Sequence, residues 1–148
     1  MAILRYSISL GLYLRGERLD PDSVTKILGI NPTKSQKKDE RNFTPTGMEY
    51  RKNIGLWALL TDSPSSNISD HFDQISSNLE KISRSSVVLG NHLLELPGVD
   101  EGYIDVFVCG VVDEEGGDCE FILTDLQVKL VGKIGLPVRF TVTTVKKD

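Results

Sequence analysis

Apolar and polar residues alternate at the start of the chain. Between positions 3 and 15 one face is formed by Leu4, Tyr6, Ile8, Leu10, Leu12 and Leu14. Ile3 and Tyr13 are the apolar exceptions on the other face. A period of two over this length is typical of a strand that buries one side. The pattern therefore predicts a long, half-buried strand whose second face is directed to solvent or to a partner.

A short helix is predicted directly after this strand. Asp20 is a favourable N-cap, Pro21 suits the first helical position, and Gly29 suits a left-handed residue at the C-terminal end. The apolar residues expected on one face are Val24, Ile27 and Leu28. These signals predict a helix of about two turns.

The middle of the chain is more polar. Residues 31–52 carry many basic side chains and several turn formers, which predicts a long exposed loop or an irregular hairpin. Residues 54–61 predict a central strand, and its apolar neighbours assign Trp57, the single tryptophan, to the core. A helix is expected to begin near Ser69, with a buried stripe of Phe72, Ile75, Leu79 and Ile82.

The last third predicts two more strands around a turn, then a helix and a final strand. Residues 103–112 predict a strand, 113–118 a turn, and 119–123 a strand that returns beside the first. Thr124 and Gln127 have the spacing of a capping box. The stripe expected to be buried on that helix is Leu126, Leu130, Val131 and Ile134. A final strand is predicted over 138–145, whereas 84–102 has no clear pattern.

This order of elements indicates the fold class. Strands and helices follow the order β-α-β-α-β-β-α-β, which favours a mostly antiparallel sheet with helices packed on one face. The length of 148 residues fits one domain spanning residues 1–148. We therefore expect an α+β fold arranged as a two-layer sandwich.

Composition and charge limit the classes of partner. The net charge of -4 disfavours a nucleic-acid binder, which would carry a basic excess. Arg5 interrupts the apolar N-terminus, no cleavage site follows, and no stretch reaches the length of a membrane span. Cys109 and Cys119 flank the predicted turn, so a bridge is conceivable, but reduced thiols are the preferred interpretation. We expect a cytoplasmic protein that contacts neither nucleic acid nor membrane.

Catalytic and cofactor motifs are missing from the sequence. His71 and His92 have no second histidine or cysteine at ligand spacing, and the glycines match no phosphate-binding loop. We therefore expect no cofactor, no metal and no catalytic residues. The alternative is a small-molecule-binding protein or an enzyme with a pocket between sheet and helices, formed by Arg51, His71 and a carboxylate brought together by folding.

Two charged segments are candidates for contacts with a partner. The acidic residues of the predicted turn and its return strand are Asp113, Glu114, Glu115, Asp118 and Glu120. They lack the spacing of a calcium loop. They are either a solvated hairpin tip or an electronegative patch that docks a basic protein. The basic residues Lys34, Lys37, Lys38 and Arg41 could likewise meet an acidic partner, or lie in a solvated loop.

Several of these residues together resemble a known family. They are Leu19-Asp20-Pro21, Val24-Thr25, Leu28-Gly29-Ile30, Pro32-Thr33, Gly47, Arg51, and Gly55 with Trp57. In this pattern and in its helix-then-strand ending, the chain resembles the bacterial family named domain of unknown function 4279 (DUF4279). The family has no established activity, so the resemblance implies no catalytic residues.

Three functional hypotheses follow from these observations. Small acidic α+β proteins of this kind are similar to immunity proteins that neutralise bacterial toxins, including those of contact-dependent growth inhibition. We therefore favour a non-catalytic toxin inhibitor that binds a cognate toxin through the acidic residues 113–120. The enzyme or small-molecule binder is the second hypothesis, and a homo-oligomer paired through exposed sheet edges is the third.

Overall fold

The structure is a computed structural model that describes residues 5–61, 68–84, 91–112 and 122–146. The strands are β1 (Arg5–Gly16), β2 (Lys34–Gln36), β3 (Arg41–Phe43), β4 (Glu49–Arg51), β5 (Gly55–Leu60), β6 (Glu101–Val112) and β7 (Val138–Lys146). The helices are α1 (Pro21–Leu28), α2 (Ile68–Arg84), α3 (Asn91–Glu95) and α4 (Asp125–Ile134).

Five of the strands form one mixed sheet in the order β2-β5-β1-β6-β7. β6 and β7 are parallel, and the other three neighbouring pairs are antiparallel. β3 and β4 form a separate antiparallel pair. The predicted α+β class is confirmed, with helices against a largely antiparallel sheet.

The alternating residues of β1 place one face of the strand in the core. Its even-numbered residues Ile8, Leu10, Leu12 and Leu14 are buried, and they share one cluster with apolar residues from all four helices. Residues contributed by the helices include Val24, Leu28, Phe72, Ile75, Leu93 and Ile134. The helices therefore cover one face of the sheet, and the odd-numbered residues of β1 lie on the other, which we call the open face.

Helix α1 has the ends that its sequence predicts, and it bonds to the sheet. The Asp20 carboxylate accepts from the backbone N–H of Asp22, and Gly29 ends the helix with φ 72°. Trp57 of β5 is fully buried, and its Nε1 donates to the Thr25 hydroxyl at 3.0 Å. The assignment of Trp57 to the core is confirmed. The hydrogen bond gives the indole N–H a partner, and without it burying this polar group would cost free energy.

Three glycines let three backbone segments meet at the end of β1. A Cβ atom on Gly16 would overlap the carbonyl oxygen of Gly98, and one on Gly55 would overlap the carbonyl oxygen of Leu19. Gly98 itself has φ 80°, and a Cβ atom there would lie 2.5 Å from the carbonyl oxygen of Arg18. Only glycine permits this close approach, so the junction of β1, β5 and the turn before β6 depends on all three.

Two predicted helix faces are partly wrong. Ile27 of α1 is 44% exposed, although Val24 and Leu28 beside it are buried. In α4, Leu126 is 73% exposed, and the inward positions among the described side chains are Gln127, Val131 and Ile134, while the side chain of Leu130 is not among them. The capping box explains the shift, because the Gln127 side chain turns back to accept from the Thr124 backbone N–H at 2.9 Å, and this fixes the rotation of the first turn.

The predicted return strand lies mostly outside the described residues, because residues 119–121 are not among them. In the described sheet, β6 is flanked by β1 on one side and β7 on the other. Ile122 and Leu123, the described end of 119–123, are not in a strand. Within 84–102 the structure adds α3, and within 31–52 it adds β2 and the β3–β4 hairpin.

Candidate binding surfaces

A hairpin of residues 39–52, here called the arm, stands apart from the core. β3 pairs with β4 in the register Arg41↔Arg51, Asn42↔Tyr50 and Phe43↔Glu49. None of the residues from 31 to 54 is buried. The arm therefore contributes no side chain to the core, and fold stability gives no reason for apolar residues in it.

Large apolar side chains are nevertheless exposed on the arm. Phe43 is 61% exposed and Met48 is 69% exposed, on either side of the turn that joins the strands, and Tyr50 is also exposed. Lys52 lies over the Tyr50 ring, 5.4 Å from its centre. Exposed aromatic and methionine side chains grouped on a projecting element are typical of a protein contact.

The arm is stiffened by its own hydrogen bonds. Arg41 donates twice to Glu49, at 2.6 and 3.1 Å. At the turn, the Met48 N–H donates to the Thr44 hydroxyl at 3.0 Å, and the Thr44 N–H donates to the Met48 carbonyl at 2.8 Å. Phe43 and Met48 are thus presented on a preformed frame.

The basic residues beside the arm are mostly held by carboxylates of the protein itself. Lys37 lies 3.0 Å from Asp22, Lys38 lies 3.1 Å from Glu17, and Arg41 pairs with Glu49. The Asp22 carboxylate raises the pKa of Lys37 through a hydrogen bond and its charge. Of the four predicted contacts for an acidic partner, three are therefore already neutralised locally.

A second candidate surface lies on the open face of the sheet. Tyr13 of β1 and Tyr103 of β6 are register partners, and their rings stack with centres 5.3 Å apart. Arg139 of β7 lies over the Tyr103 ring, 4.2 Å from its centre. This stack of two rings and a guanidinium group lies across β1, β6 and β7 on the open face, near the ends of β1 and β6 where Arg15 and Glu101 pair.

Asp105 adds an unsatisfied acceptor beside this stack. Its Oδ1 atom is buried and has no hydrogen-bond partner among the described residues. Burial raises the pKa of the Tyr13 hydroxyl above its usual 10.0, and the charges of Asp105 and Tyr103 raise it further, against the opposing effect of Arg139. The open face therefore holds Tyr13 in its neutral form next to a carboxylate.

This shift predicts an alkaline loss of stability. Because the folded protein holds the Tyr13 proton more tightly than the unfolded chain does, the contribution is intact below about pH 10 and is lost as pH rises through the raised pKa. We expect denaturant midpoints to fall less above about pH 10 in Tyr13→Phe than in the wild type. Tyr50→Phe, on the exposed arm, controls for the removal of a phenol. Equal alkaline losses in wild type and Tyr13→Phe would contradict this prediction.

The residues of the enzyme hypothesis occupy different environments. His71 of α2 is fully buried, and its Nδ1 lies 2.6 Å from the Thr61 hydroxyl, which also accepts from the Leu10 N–H. This hydrogen bond joins α2 to the end of β5. Arg51 is exposed on the arm and donates to the Asp39 carbonyl at 3.0 Å. The side chain of His92 lies outside the described ones.

The predicted acidic contacts fall outside the described residues. Asp113, Glu114, Glu115, Asp118 and Glu120 belong to a segment that begins after Val112, the last residue of β6, and Cys119 lies in the same segment. Cys109 is a free, half-buried thiol on β6. Because β6 runs antiparallel to β1, Val112 lies at the end of the sheet opposite Arg15, Leu56 and Gln36, where the arm departs.

Among the described residues, no group of three histidine, cysteine or acidic side chains is placed to hold a metal ion. No helix in the same part of the chain is long and apolar enough to cross a membrane.

Comparison with known families gives a match over residues 6–144 to the model described as domain of unknown function (DUF4279). The chain belongs to the DUF4279 family. No curated protein and no solved structure matches the chain.

The residues that carry the DUF4279 resemblance have structural roles. Asp20 and Gly29 begin and end α1, and Thr25 bonds to Trp57. Thr33 ties β2 to β5, because its hydroxyl accepts from the Leu60 N–H at 3.0 Å. These residues hold α1 and β2 against β5, so they account for the fold of the N-terminal half and do not indicate an active site.

Sequence reasoning missed the open-face cluster, although a signal was present. Tyr13 was an apolar exception on the polar face of β1, and Tyr103 begins the predicted strand of residues 103–112. An aromatic residue on the solvent side of each of two strands indicates a shared surface if the strands are neighbours. The sequence does not show that β1 and β6 pair, so the two aromatic positions could not be assigned to one surface.

Proposed function

We propose that this DUF4279 protein is a non-catalytic binding protein that acts by attaching to another protein, with the arm as its main contact. The observation that carries the proposal is the exposure of Phe43 and Met48 on a hairpin that contributes nothing to the core. Exposed apolar area of this kind is retained at a cost in solubility, which a binding role offsets.

The frame of the arm supports tight binding. A contact residue on a flexible loop loses conformational freedom when it binds, and each immobilised side chain costs about 0.5–1.5 kcal/mol. The paired strands and the Arg41–Glu49 bonds reduce that cost before the partner arrives. Aromatic anchors that enter a pocket commonly supply most of an interface's binding energy.

The charge distribution supports a basic partner. Five of the 21 acidic residues are Asp113, Glu114, Glu115, Asp118 and Glu120, so the other 16 nearly balance the 17 basic residues. The negative charge of the chain is thus concentrated in one short segment. Such a concentration attracts a positively charged surface and accelerates association.

We therefore assign the partner to the class of basic toxin domains, with this protein as the immunity protein of a toxin or contact-dependent growth inhibition system. Binding would block the toxin's active site. The proposal involves no catalysis, so inhibition should be stoichiometric, with one inhibitor neutralising one toxin.

Calorimetric titration against the product of the adjacent reading frame tests this proposal, together with growth of cells that express that product. We expect saturable binding and restored growth when the DUF4279 protein is co-expressed. A heat-unfolded sample provides the control for non-specific heats. Absence of both binding and rescue would remove the immunity role.

The acidic segment makes a separate kinetic prediction. Changing Asp113, Glu114, Glu115 and Asp118 to their amides should lower the association rate about 10-fold at low salt, with little change in dissociation rate. The free energy of unfolding should change by less than about 0.5 kcal/mol. Stopped-flow association at low and high salt measures the effect. An unchanged association rate would mean that the segment is only a solvated turn.

A further inference from the structure

The arm exposes a large apolar side chain on each of its two faces. In a paired ribbon, successive side chains point to opposite sides, and register partners share a side. Phe43 therefore lies with Glu49 on one side, here called the phenylalanine face, and Tyr50 lies with Asn42 on the other, here called the tyrosine face. Phe43 and Tyr50 are both exposed, so apolar surface is uncovered on both sides of one hairpin.

The backbone bonds place Met48 on the tyrosine face as well. The Lys52 N–H donates to the Glu40 carbonyl, and the Thr44 N–H donates to the Met48 carbonyl. These bonds continue the register of β3 and β4 by one pair at each end. Met48 lies two residues before Tyr50 and therefore shares its side. A ribbon that rests on a single surface needs apolar residues on one face only, whereas apolar residues on both faces suit a ribbon that is covered on both sides.

The tip of the arm carries no charged side chain. Residues 42–48 read Asn-Phe-Thr-Pro-Thr-Gly-Met, and the three acidic and three basic residues of the arm all lie nearer its base. Charged residues are depleted at the buried centre of protein interfaces, because a charge that leaves water without a partner is costly. The tip can therefore be buried without removing a charge from water.

The backbone of the tip is also largely satisfied before a partner arrives. The Phe43 N–H donates to the Asn42 side-chain oxygen at 2.9 Å, and the Gly47 N–H donates to the Thr44 carbonyl at 2.9 Å. Pro45 has no N–H group to satisfy. Burying a polar group that lacks a partner costs about 1–3 kcal/mol, and the internal bonds avoid this cost for the groups that they join.

We infer that the arm enters a cleft of the protein partner, with one wall packed on the phenylalanine face and the other on the tyrosine face. This inference rests on the proposed function and specifies how the contact is made. Packed layers lie about 10 Å apart, so the backbones of the two walls are separated by about 20 Å. Phe43 contacts one wall, and Met48 and Tyr50 contact the other. Ligands and substrates bind in concave sites of this kind, so an inserted arm would exclude them.

A protein cleft suits the arm better than a lipid surface. Elements that dip an apolar tip into a membrane usually add basic residues that attract anionic lipid. Here Arg41 of the arm is paired with Glu49, and Lys37 and Lys38 beside the arm are held by other carboxylates. The net charge of -4 would also be repelled by anionic lipid.

Single substitutions on the two faces, titrated against the product of the adjacent reading frame, test the inference. Phe43→Ala and Met48→Ala should each weaken binding about 10-fold, because each removes a contact with a different wall. Leu126→Ala, at an exposed position on α4, is the matched control and should leave the affinity unchanged. If only one face is sensitive, the cleft is wrong and the proposed function stands. If the wild type does not bind at all, the proposed function fails and the cleft with it.

Alkylation of a thiol at the tip gives a second measurement. In a protein with Cys109→Ala and Cys119→Ala, Thr46→Cys places a thiol in the exposed turn of the arm. Saturation with the same partner should slow its reaction with iodoacetamide about 10-fold or more, because the centre of an interface excludes water. Lys129→Cys, on the exposed side of α4, should react at an unchanged rate. An unprotected thiol at position 46 in the complex would overturn insertion of the arm.

Vesicles test the lipid alternative. The full chain, without a partner, is sedimented with vesicles of equal parts phosphatidylcholine and phosphatidylserine, and we expect it to stay in solution. Binding to these vesicles that Phe43→Ala abolishes would overturn a protein cleft as the occupant.

Discussion

Replacing Phe43 and Met48 together by alanine is expected to weaken binding of the protein partner about 100-fold or more, which corresponds to about 2.8 kcal/mol. Both side chains are mostly exposed and contribute nothing to the core, so the free energy of unfolding should change by less than about 0.5 kcal/mol. The combination of a large loss in affinity with unchanged stability is what separates a contact residue from a structural one.

The measurement is calorimetric or kinetic titration of the proposed protein partner with each variant, paired with denaturant unfolding. Leu126→Ala removes a comparably exposed apolar side chain from α4, away from the arm, and serves as the matched control. If Leu126→Ala weakens binding as much as the arm variant does, the arm is not the main contact. A partner that binds the arm variant normally would assign binding to another surface, while the immunity role itself would stand.

Gly16→Ala is expected to be strongly destabilising, costing about 3 kcal/mol or more of folding free energy. The new Cβ atom would overlap the Gly98 carbonyl oxygen, and further backbone atoms of Gly98 and Asp100 lie about 3 Å away. Backbone atoms cannot swing aside as a flexible side chain can. Relief therefore requires β1 to separate from the turn before β6.

The matched control is the same substitution where space is open. Gly132 lies in α4, and a Cβ atom there meets nothing within 4 Å. Because glycine lowers helix stability relative to alanine, Gly132→Ala should stabilise the protein by about 0.5–1 kcal/mol. Denaturant unfolding should show a lower free energy of unfolding for Gly16→Ala and a higher one for Gly132→Ala. A Gly16→Ala protein as stable as the wild type would show that the three-glycine junction is looser than its distances indicate.

The parts of the fold that depend on local chemistry could be predicted from the sequence. A few neighbouring residues determine each of these features: the alternation of β1, the caps of α1 at Asp20 and Gly29, and the Thr124–Gln127 capping box. These signals act through bonds between near neighbours, so no knowledge of the rest of the chain is needed.

The parts that depend on distant pairing could not be predicted. β7 lies beside β6 although α4 separates the two strands along the chain, and no local pattern in the sequence indicates this parallel pairing. The same applies to the candidate site. In the sequence, Phe43 and Met48 belong to a polar segment, and only the pairing of β3 with β4 places them on either side of one turn. The Tyr13–Tyr103 stack likewise depends on β1 lying beside β6.

The antiparallel course of β1 and β6 also limits how large a surface the partner must cover. Each strand has twelve residues, which at about 3.3 Å per residue spans about 40 Å. The arm departs at one end of that span, and the acidic segment begins at the other. A small domain is about 30 Å across, so a proposed partner of that size seated where the arm departs would not also reach Val112. Salt should therefore screen the long-range attraction between the two proteins' charges while a contact made by the arm persists.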